Sequence, residues 1–518
     1  MQAAECNWDY SKGNAKHLRH VIMGVIRRQS AFSSVALYLG IALGFVLSLF
    51  IYPRFLEAEE IGLVRVLVDM AKLISPFLLL GIPSTFVRYY PYFSSDENAA
   101  SAFRYLSLLV SGIGTVFMLL LFYVLEPLLI ASFAENSPLL AGFFQLLPIL
   151  IFLVGGVSLL RAYYRSDYNI TIPNVYEAIL LKVFFIASVL VYYFMELATE
   201  WLVYMYILAH ALIFVGLLIT YARNGKLKLK TDLSLIDPKL RKEMIPYGLF
   251  VIANMVSGSM IVNIDSWMLA SLSGLSAAGV YTIALSIGMI IELPRRSITQ
   301  IAVPVIANAW KNQNTKNIQD IYHKTSLNQL IAGGIIFILV WINVDDLFRL
   351  IPNGELYSAG KWVVFFIGIS KLFSIATGCN IEILQVSEHY RYSLWTRLVL
   401  IATAIGTNIY FIPRYGITGA ALATAISFFT NNILLFLIVW IKLKMQPFKW
   451  TNFYAVLWLG VIFSVGYFLP YPFEHPLVLI AVRTVVVGGV FLIVVMRFPF
   501  SEDLREFILL GLKKLGVS

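Results

Sequence analysis

The chain has 518 residues, of which 59% are hydrophobic, 14% aromatic and only 13% charged, whereas a soluble domain carries roughly 25% charged residues. A water-soluble globule is excluded. Its two cysteines, Cys6 and Cys379, and six scattered histidines supply neither a disulfide framework nor a metal-ligand spacing, and the net charge of +10 takes its meaning from where the 39 Lys and Arg fall in the topology.

Since about 20 apolar residues make one crossing, the apolar runs predict fourteen helices, near 30–51, 62–85, 105–125, 139–160, 175–195, 201–221, 245–270, 277–298, 327–348, 362–381, 394–412, 416–441, 452–469 and 476–496. The expected fold is therefore an all-α polytopic membrane protein. About thirty residues precede the first span. They carry Lys12, Lys16, Arg19, Arg27 and Arg28 and no small-residue cleavage site, so the first helix is expected to stay in the membrane rather than be removed as a signal peptide. The stretch from Ala15 to Arg28 alternates basic and apolar residues and reads as an interfacial helix on the cytoplasmic leaflet. Nothing in it calls for nucleic acid.

Orientation follows from a count, because cytoplasmic loops retain Lys and Arg. With the N-terminus inside, thirty of the 39 basic residues fall on inside segments and four on outside loops, namely Arg54, Arg349, Lys361 and Arg414. Five fall within spans: Arg65, Lys72, Lys182, Lys371 and Arg483. A miscounted helix would invert every later loop and spoil this contrast, so both termini are expected in the cytoplasm. The expected organisation is a basic tail at 1–29, an N-lobe of six helices at 30–221, a basic linker at 222–244 and a C-lobe of six helices at 245–441. Two appended helices at 442–496 and a cytoplasmic tail at 497–518 complete it. An offset of 217 residues lays Gly62-Leu-Val on Gly279-Val-Tyr, which implies parallel repeats about an axis along the membrane normal, with a cavity between two pseudo-symmetric lobes.

Three ionisable residues share one face of the second predicted helix: Arg65, Asp69 and Lys72, at spacings of four and three. A charge at bilayer depth costs about 2.5–3.5 kcal/mol, so the stripe must face protein or water. It reads either as a cavity wall offering two cations to an anionic substrate, or as an ion-pair ladder locking the helix to its neighbours. In the seventh predicted helix Asp265 shares a small, polar face with Asn254, Gly258 and Ile261; it is a candidate for H⁺ or Na⁺ coupling, or for pairing with a cation such as Arg65. Arg88, ahead of Tyr89-Tyr90-Pro91, and Arg295, after Glu292 and Pro294, close the inner ends of two helices. Each is a candidate for a diphosphate through bidentate hydrogen bonds, or a topogenic arginine. Lys182, Lys371 and Arg483 read as structural cations. No phosphate loop, nucleophile elbow or metal cluster appears, so no catalytic residue, metal or cofactor is expected.

The segments Gly81-Ile-Pro-Ser-Thr-Phe-Val-Arg88-Tyr-Tyr-Pro, Asp265 with Gly279-Val-Tyr281, and Tyr415-Gly-Ile-Thr-Gly-Ala-Ala-Leu-Ala-Thr-Ala resemble the Wzx-like polysaccharide flippases of the multidrug/oligosaccharidyl-lipid/polysaccharide exporter superfamily, and the resemblance covers essentially the whole chain. It implies two six-helix lobes around a V-shaped cavity that turns a polyprenyl-diphosphate-linked oligosaccharide from the cytoplasmic to the periplasmic leaflet of a bacterial inner membrane. It also implies Arg65, Lys72, Arg88 and Arg295 as the cationic lining. A glycan polymerase and glycosyltransferases of the same pathway would be its partners, beside the membrane lipids. The clustered acids of cation-coupled drug exporters are missing apart from Asp265, which ranks drug export second. A membrane-embedded polymerase or ligase ranks third, because the outer loops are short. A peptidoglycan precursor as cargo stays open.

Overall fold

The computed structural model describes residues 32–33, 35–469, 472–498, 504–506 and 509, apart from the side chains of residues 261, 262 and 297. The N-terminal tail with its expected interfacial helix, and nearly all of the C-terminal tail, lie outside the described residues. Among those described there is helix and no strand, as hydrocarbon demands, because a helix satisfies its backbone polar groups within one segment. In chain order the main helices are α1 (Val35–Phe55), α2 (Ala58–Leu78), α3 (Ile82–Tyr89), α4 (Glu97–Ala134), α5 (Phe144–Ser166), α6 (Thr171–Phe194), α7 (Thr199–Arg223) and α8 (Pro238–Ser273). They continue with α9 (Leu275–Lys311), α10 (Thr315–Ile342), α11 (Lys361–Ala376), α12 (Asn380–Val386), α13 (Tyr392–Leu443), α14 (Trp450–Phe468) and α15 (Pro476–Arg497).

Among the described residues ten helices are long and apolar enough to cross a membrane, or twelve if the bent pairs Pro238–Met260 with Asn263–Ser273 and Lys361–Ala376 with Asn380–Val386 each form one span. The difference from the fourteen expected lies in two places. The span expected at 62–85 stops at Leu78 and restarts at Ile82, because Gly81 adopts φ +73° and Pro83 opens the next helix; its first piece, α2, also carries the Arg65, Asp69 and Lys72 charges. The spans expected at 394–412 and 416–441 run together as the 52-residue α13, broken where Gly416 takes φ 53° and ψ −130°. At 1.5 Å per residue α13 would stretch roughly 78 Å if straight, more than twice the hydrocarbon thickness.

The chain forms two compact units, each assembled from separated stretches. The first comprises Met1–Leu47, Ser75–Leu121 and Pro148–Ile252; the second comprises Ser48–Ile74, Phe122–Leu147 and Ala253–Ser518. In the first, α6 and α7 pack through Phe185 stacked on Tyr206 at 4.3 Å. Arg104, 1% exposed, is held by Tyr90, whose oxygen accepts from Nη2 at 2.9 Å. Tyr90 and Tyr221 donate to the two oxygens of Asp167 at 3.3 and 3.1 Å. A buried guanidinium is tolerable only when so partnered, and this network ties together the chain around α3, α4, α5 and α7.

In the second unit the 217-residue repeat becomes physical. A Cβ on Gly62 would fall 1.9 Å from the Leu275 carbonyl oxygen, and one on Gly279 would fall 1.9 Å from that of Ala58; Ala58 and Leu275 are themselves 217 residues apart. The starts of α2 and α9 thus cross so closely that only glycine fits on either side. Nearby, the Asn136 amide donates to the Ser271 carbonyl at 2.9 Å and the Asn353 amide to that of Pro53 at 3.0 Å. The two asparagines are again 217 apart, while their acceptors are 218 apart, so the two contacts are similar but not in register.

Candidate functional site

Helical spacing puts Arg65, Asp69 and Lys72 on one side of α2. The Arg65 Nε lies 2.5 Å from Asp69 Oδ2, and Lys72 Nζ lies 3.9 Å from Oδ1. The carboxylate is only 1% exposed while the arginine and lysine side chains are 30% and 49% exposed. One buried acid therefore anchors two accessible cations and leaves a net positive charge. Both pairings lie within α2. The backbone of the stripe is fixed by α8, where Ser259 Oγ donates to the Lys72 carbonyl at 2.7 Å.

Arg295, early in the second half of α9, donates through Nη1 to Ser374 Oγ of α11 at 3.2 Å and through Nη2 to Glu382 Oε1 of α12 at 3.3 Å. One turn before it, Glu292 accepts Lys371 of α11 at 3.1 Å, and the lysine ammonium also sits 4.3 Å from the centre of the Phe428 ring. Proline at 294 places this group where the 3₁₀ turn Met289–Glu292 gives way to α-helix. Two acids and two cations from three helices thus balance in charge. A shallower feature of the same unit is a cavity of about 720 Å³ walled by Ile298, Ile301, Val305 and Ile321, with Lys324 and Asn328 as polar lining.

Asp265, 8% exposed on α8, meets no arginine or lysine at ion-pair distance among the described residues. Its carboxylate instead accepts hydrogen bonds from Tyr281 of α9 at 3.0 Å, from Asn408 at 2.8 Å and from Thr424. Asn408 and Thr424 stand on opposite sides of the Gly416 break in α13, which brings both to one carboxylate. Asn408 donates through its amide nitrogen, and its amide oxygen is buried without a partner. Five oxygens therefore converge in a buried polar cluster: two of carboxylate, one amide, one hydroxyl and one phenol. Arg88 belongs to the first unit, where its guanidinium lies 4.2 Å from the centre of the Tyr247 ring, a cation–π contact with an exposed arginine.

The structure thus joins Arg65, Asp69 and Lys72 as one group, gives Arg295 and Asp265 separate surroundings, and sets Arg88 on an aromatic ring. Sequence reasoning named Lys371 and Glu292 but not their pairing across α9 and α11; it passed over Glu382 and Asn408, and Thr424 stood unremarked in the signature that begins at Tyr415. Tyr281 stood in the glycine-rich signature. Its hydroxyl, rather than the glycine beside it, proves to be the polar element. For Asn408 and Thr424 the one available signal was a polar residue in each arm of an apolar run interrupted by Gly416.

A family model described as polysaccharide biosynthesis protein matches residues 26–310, and the MatE model matches residues 251–415. The chain is 23% identical over 268 residues to the probable low-salt glycan biosynthesis flippase Agl15 of Haloferax volcanii, across 49% of this chain and 55% of that protein. It is 20% identical over 422 residues to the uncharacterized membrane protein MJ1068 of Methanocaldococcus jannaschii, across 78% of this chain and 81% of that one. The chain thus matches little more than half the length of Agl15. Among solved structures, the lipid II flippase MurJ in an inward closed conformation superposes with a TM-score of 0.68 at 15% identity, covering 90% of this chain and 98% of that one. An inward-facing multidrug resistance MATE family transporter of the MOP superfamily gives 0.58 at 16% identity, covering 78% and 93%. These likenesses establish the fold.

Proposed function

Because the chain belongs to the polysaccharide biosynthesis protein family, we propose that it turns a polyprenyl-diphosphate-linked oligosaccharide from the cytoplasmic to the outer leaflet of a bacterial cytoplasmic membrane, by alternating access and without covalent chemistry. The observation that carries this reading is the α2 stripe, where buried Asp69 holds Arg65 and Lys72 with much of each cation accessible. A bare diphosphate in hydrocarbon costs many kcal/mol, and fixed cations replace its water shell. Arg295 and Arg88 add forked donors suited to phosphate oxygens. The lipid tail stays in apolar surroundings while the head crosses, and an inside-negative potential assists by about 2.3 kcal/mol per negative charge per 100 mV. Six-helix lobes at 30–221 and 245–441 are the moving bodies of this scheme. Glycosyltransferases and a polymerase would supply and consume the lipid-linked glycan.

The Asp265 cluster favours coupling to a cation: a carboxylate, a partnerless amide oxygen and two hydroxyl oxygens are the ligand types that H⁺ or Na⁺ takes. The same cluster supports a second reading, a cation-coupled exporter of small organic solutes. Proteoliposomes separate the two. A fluorescent polyprenyl-diphosphate oligosaccharide should change leaflet with the native protein and lose that movement in the Arg65→Ala/Lys72→Ala double variant. An exporter would tolerate the double variant, lose activity in Asp265→Ala and leave the lipid unmoved.

A further inference from the structure

We propose that Glu382 is a proton-binding site that answers the arrival of an anion at Arg295, so that one proton joins each diphosphate in the cavity. The proposal rests on reading Arg295 as an anion receptor and goes beyond it by naming what happens to the arginine's resting partner.

Glu382 lies just past the break between α11 and α12, where the chain bends by 49° and Gly378 takes φ +65°. Interrupted spans of this kind place ionisable groups at bilayer depth. The Glu382 side chain is 12% exposed. Its Oε1 receives a single long hydrogen bond from Arg295 at 3.3 Å, and its Oε2 is buried with no partner. A buried carboxylate that stays charged normally gathers donors on both oxygens, so Glu382 depends on one cation.

Two more polar atoms here lack partners: the hydroxyl of Tyr322, a residue 0% exposed, and Thr299 Oγ1. Tyr322 packs in one cluster with Cys379 and Ile383, the neighbour of Glu382. The tyrosine hydroxyl and Glu382 Oε2 are not hydrogen-bonded to each other, so no donor holds Oε2 as a carboxylate oxygen.

Among the described residues no second cation stands ready to replace Arg295. Lys371 of α11 is bound to Glu292 of α9, and Arg296 is exposed. On α10, His323 engages the Pro447 carbonyl and Lys324 lines the apolar cavity. On α13 the residues at this level are the neutral Asn431 and Asn432, the latter hydrogen-bonded to Thr377 at the break. When a diphosphate draws the guanidinium away, Glu382 and the anion would compete for one positive charge in low dielectric. Binding of a proton from solvent to Oε2 removes the competition. By linkage the proton must then tighten anion binding by the factor by which the anion tightens proton binding.

Isothermal titration of the purified full-length protein with farnesyl diphosphate, in buffers of different ionisation enthalpy, counts the protons. The native protein should take up about one more proton per ligand than E382Q, and its affinity should weaken as pH rises, by up to about tenfold per pH unit for one linked proton. E382D should restore both. Native binding without proton uptake, or uptake unchanged in E382Q, overturns the proposal and leaves Arg295 as a receptor. Native protein that binds no diphosphate, or binding untouched in R295Q, removes the receptor and the proposal with it. The pH slope of the native protein needs no variant, so poor folding of E382Q would not shelter the idea.

Discussion

At the scale of single residues, the decisive contrast is between two buried aspartates. Asp69 pairs with cations of its own helix, whereas Asp265 is held by three neutral donors from α9 and α13. Truncation at Asp265 strands those donors, each worth roughly 1–3 kcal/mol when left unmet. Asp265→Ala is expected to lower the melting temperature in detergent markedly, with Asp265→Asn milder. A native-like melting curve for the alanine variant would show that the cluster carries no structural weight. Asp265→Asn should then remove the ion-gradient dependence that runs through this cluster, leaving the proton uptake at Glu382 and the fold largely intact. In the linker, the hydroxyl and backbone N–H of Ser234 both donate to Asp232 and hold its carboxyl below the usual carboxylate value. A lowered folded pKa stabilises above the unfolded value of about 3.9 and loses that contribution as pH falls through the folded one. NMR of Ser234 should therefore report a turn that persists at pH 4 and melts only in stronger acid, an acid transition that Asp232→Asn removes.

At the scale of elements, the crossing of α2 and α9 is the tightest commitment in the second unit. Gly62 and Gly279 each face the other helix's carbonyl, and any side chain must push the helices apart. Gly62→Val and Gly279→Val should each cost about 1–3 kcal/mol by overpacking. The double variant should cost less than the total of the singles, since the first substitution already opens the shared crossing. Additive losses in thermal unfolding would mean that the two glycines are not one contact. The 217-residue offset paired these glycines as equivalents but did not disclose that they meet. It did not disclose the Asn136 and Asn353 amide bonds, because asparagine in a predicted loop has many local uses and only the fold selects one.

At the scale of the whole molecule, the distribution of basic residues predicts sidedness that chemical labelling can read. In a variant without Cys6, a cysteine at Lys230 should react with an impermeant maleimide only from the cytoplasmic side, and one at Glu355 only from the outside. Labelling of both from one side would break the fourteen-span topology. Ten to twelve helices meet the length and apolarity of a span among the described residues. The charged α2 and the run-together α13 account for the difference, since one departs from an apolar helix by composition and the other by continuity.

The sequence by itself determined that the chain is an all-helical polytopic membrane protein that resembles the flippases of its family, and it raised the expectation that the two halves repeat. Each of these follows from apolar length, from charge counts or from a periodic offset, all of which are properties of the chain read in order. Only the tertiary structure decided which ionisable groups meet. Asp69 found its cations at i−4 and i+3, a spacing legible in advance. Arg295 met Glu382 at a separation of 87 residues, and Asp265 met Thr424 at 159. Side chains so far apart are brought together by the breaks at Gly378 and Gly416 and by helix packing.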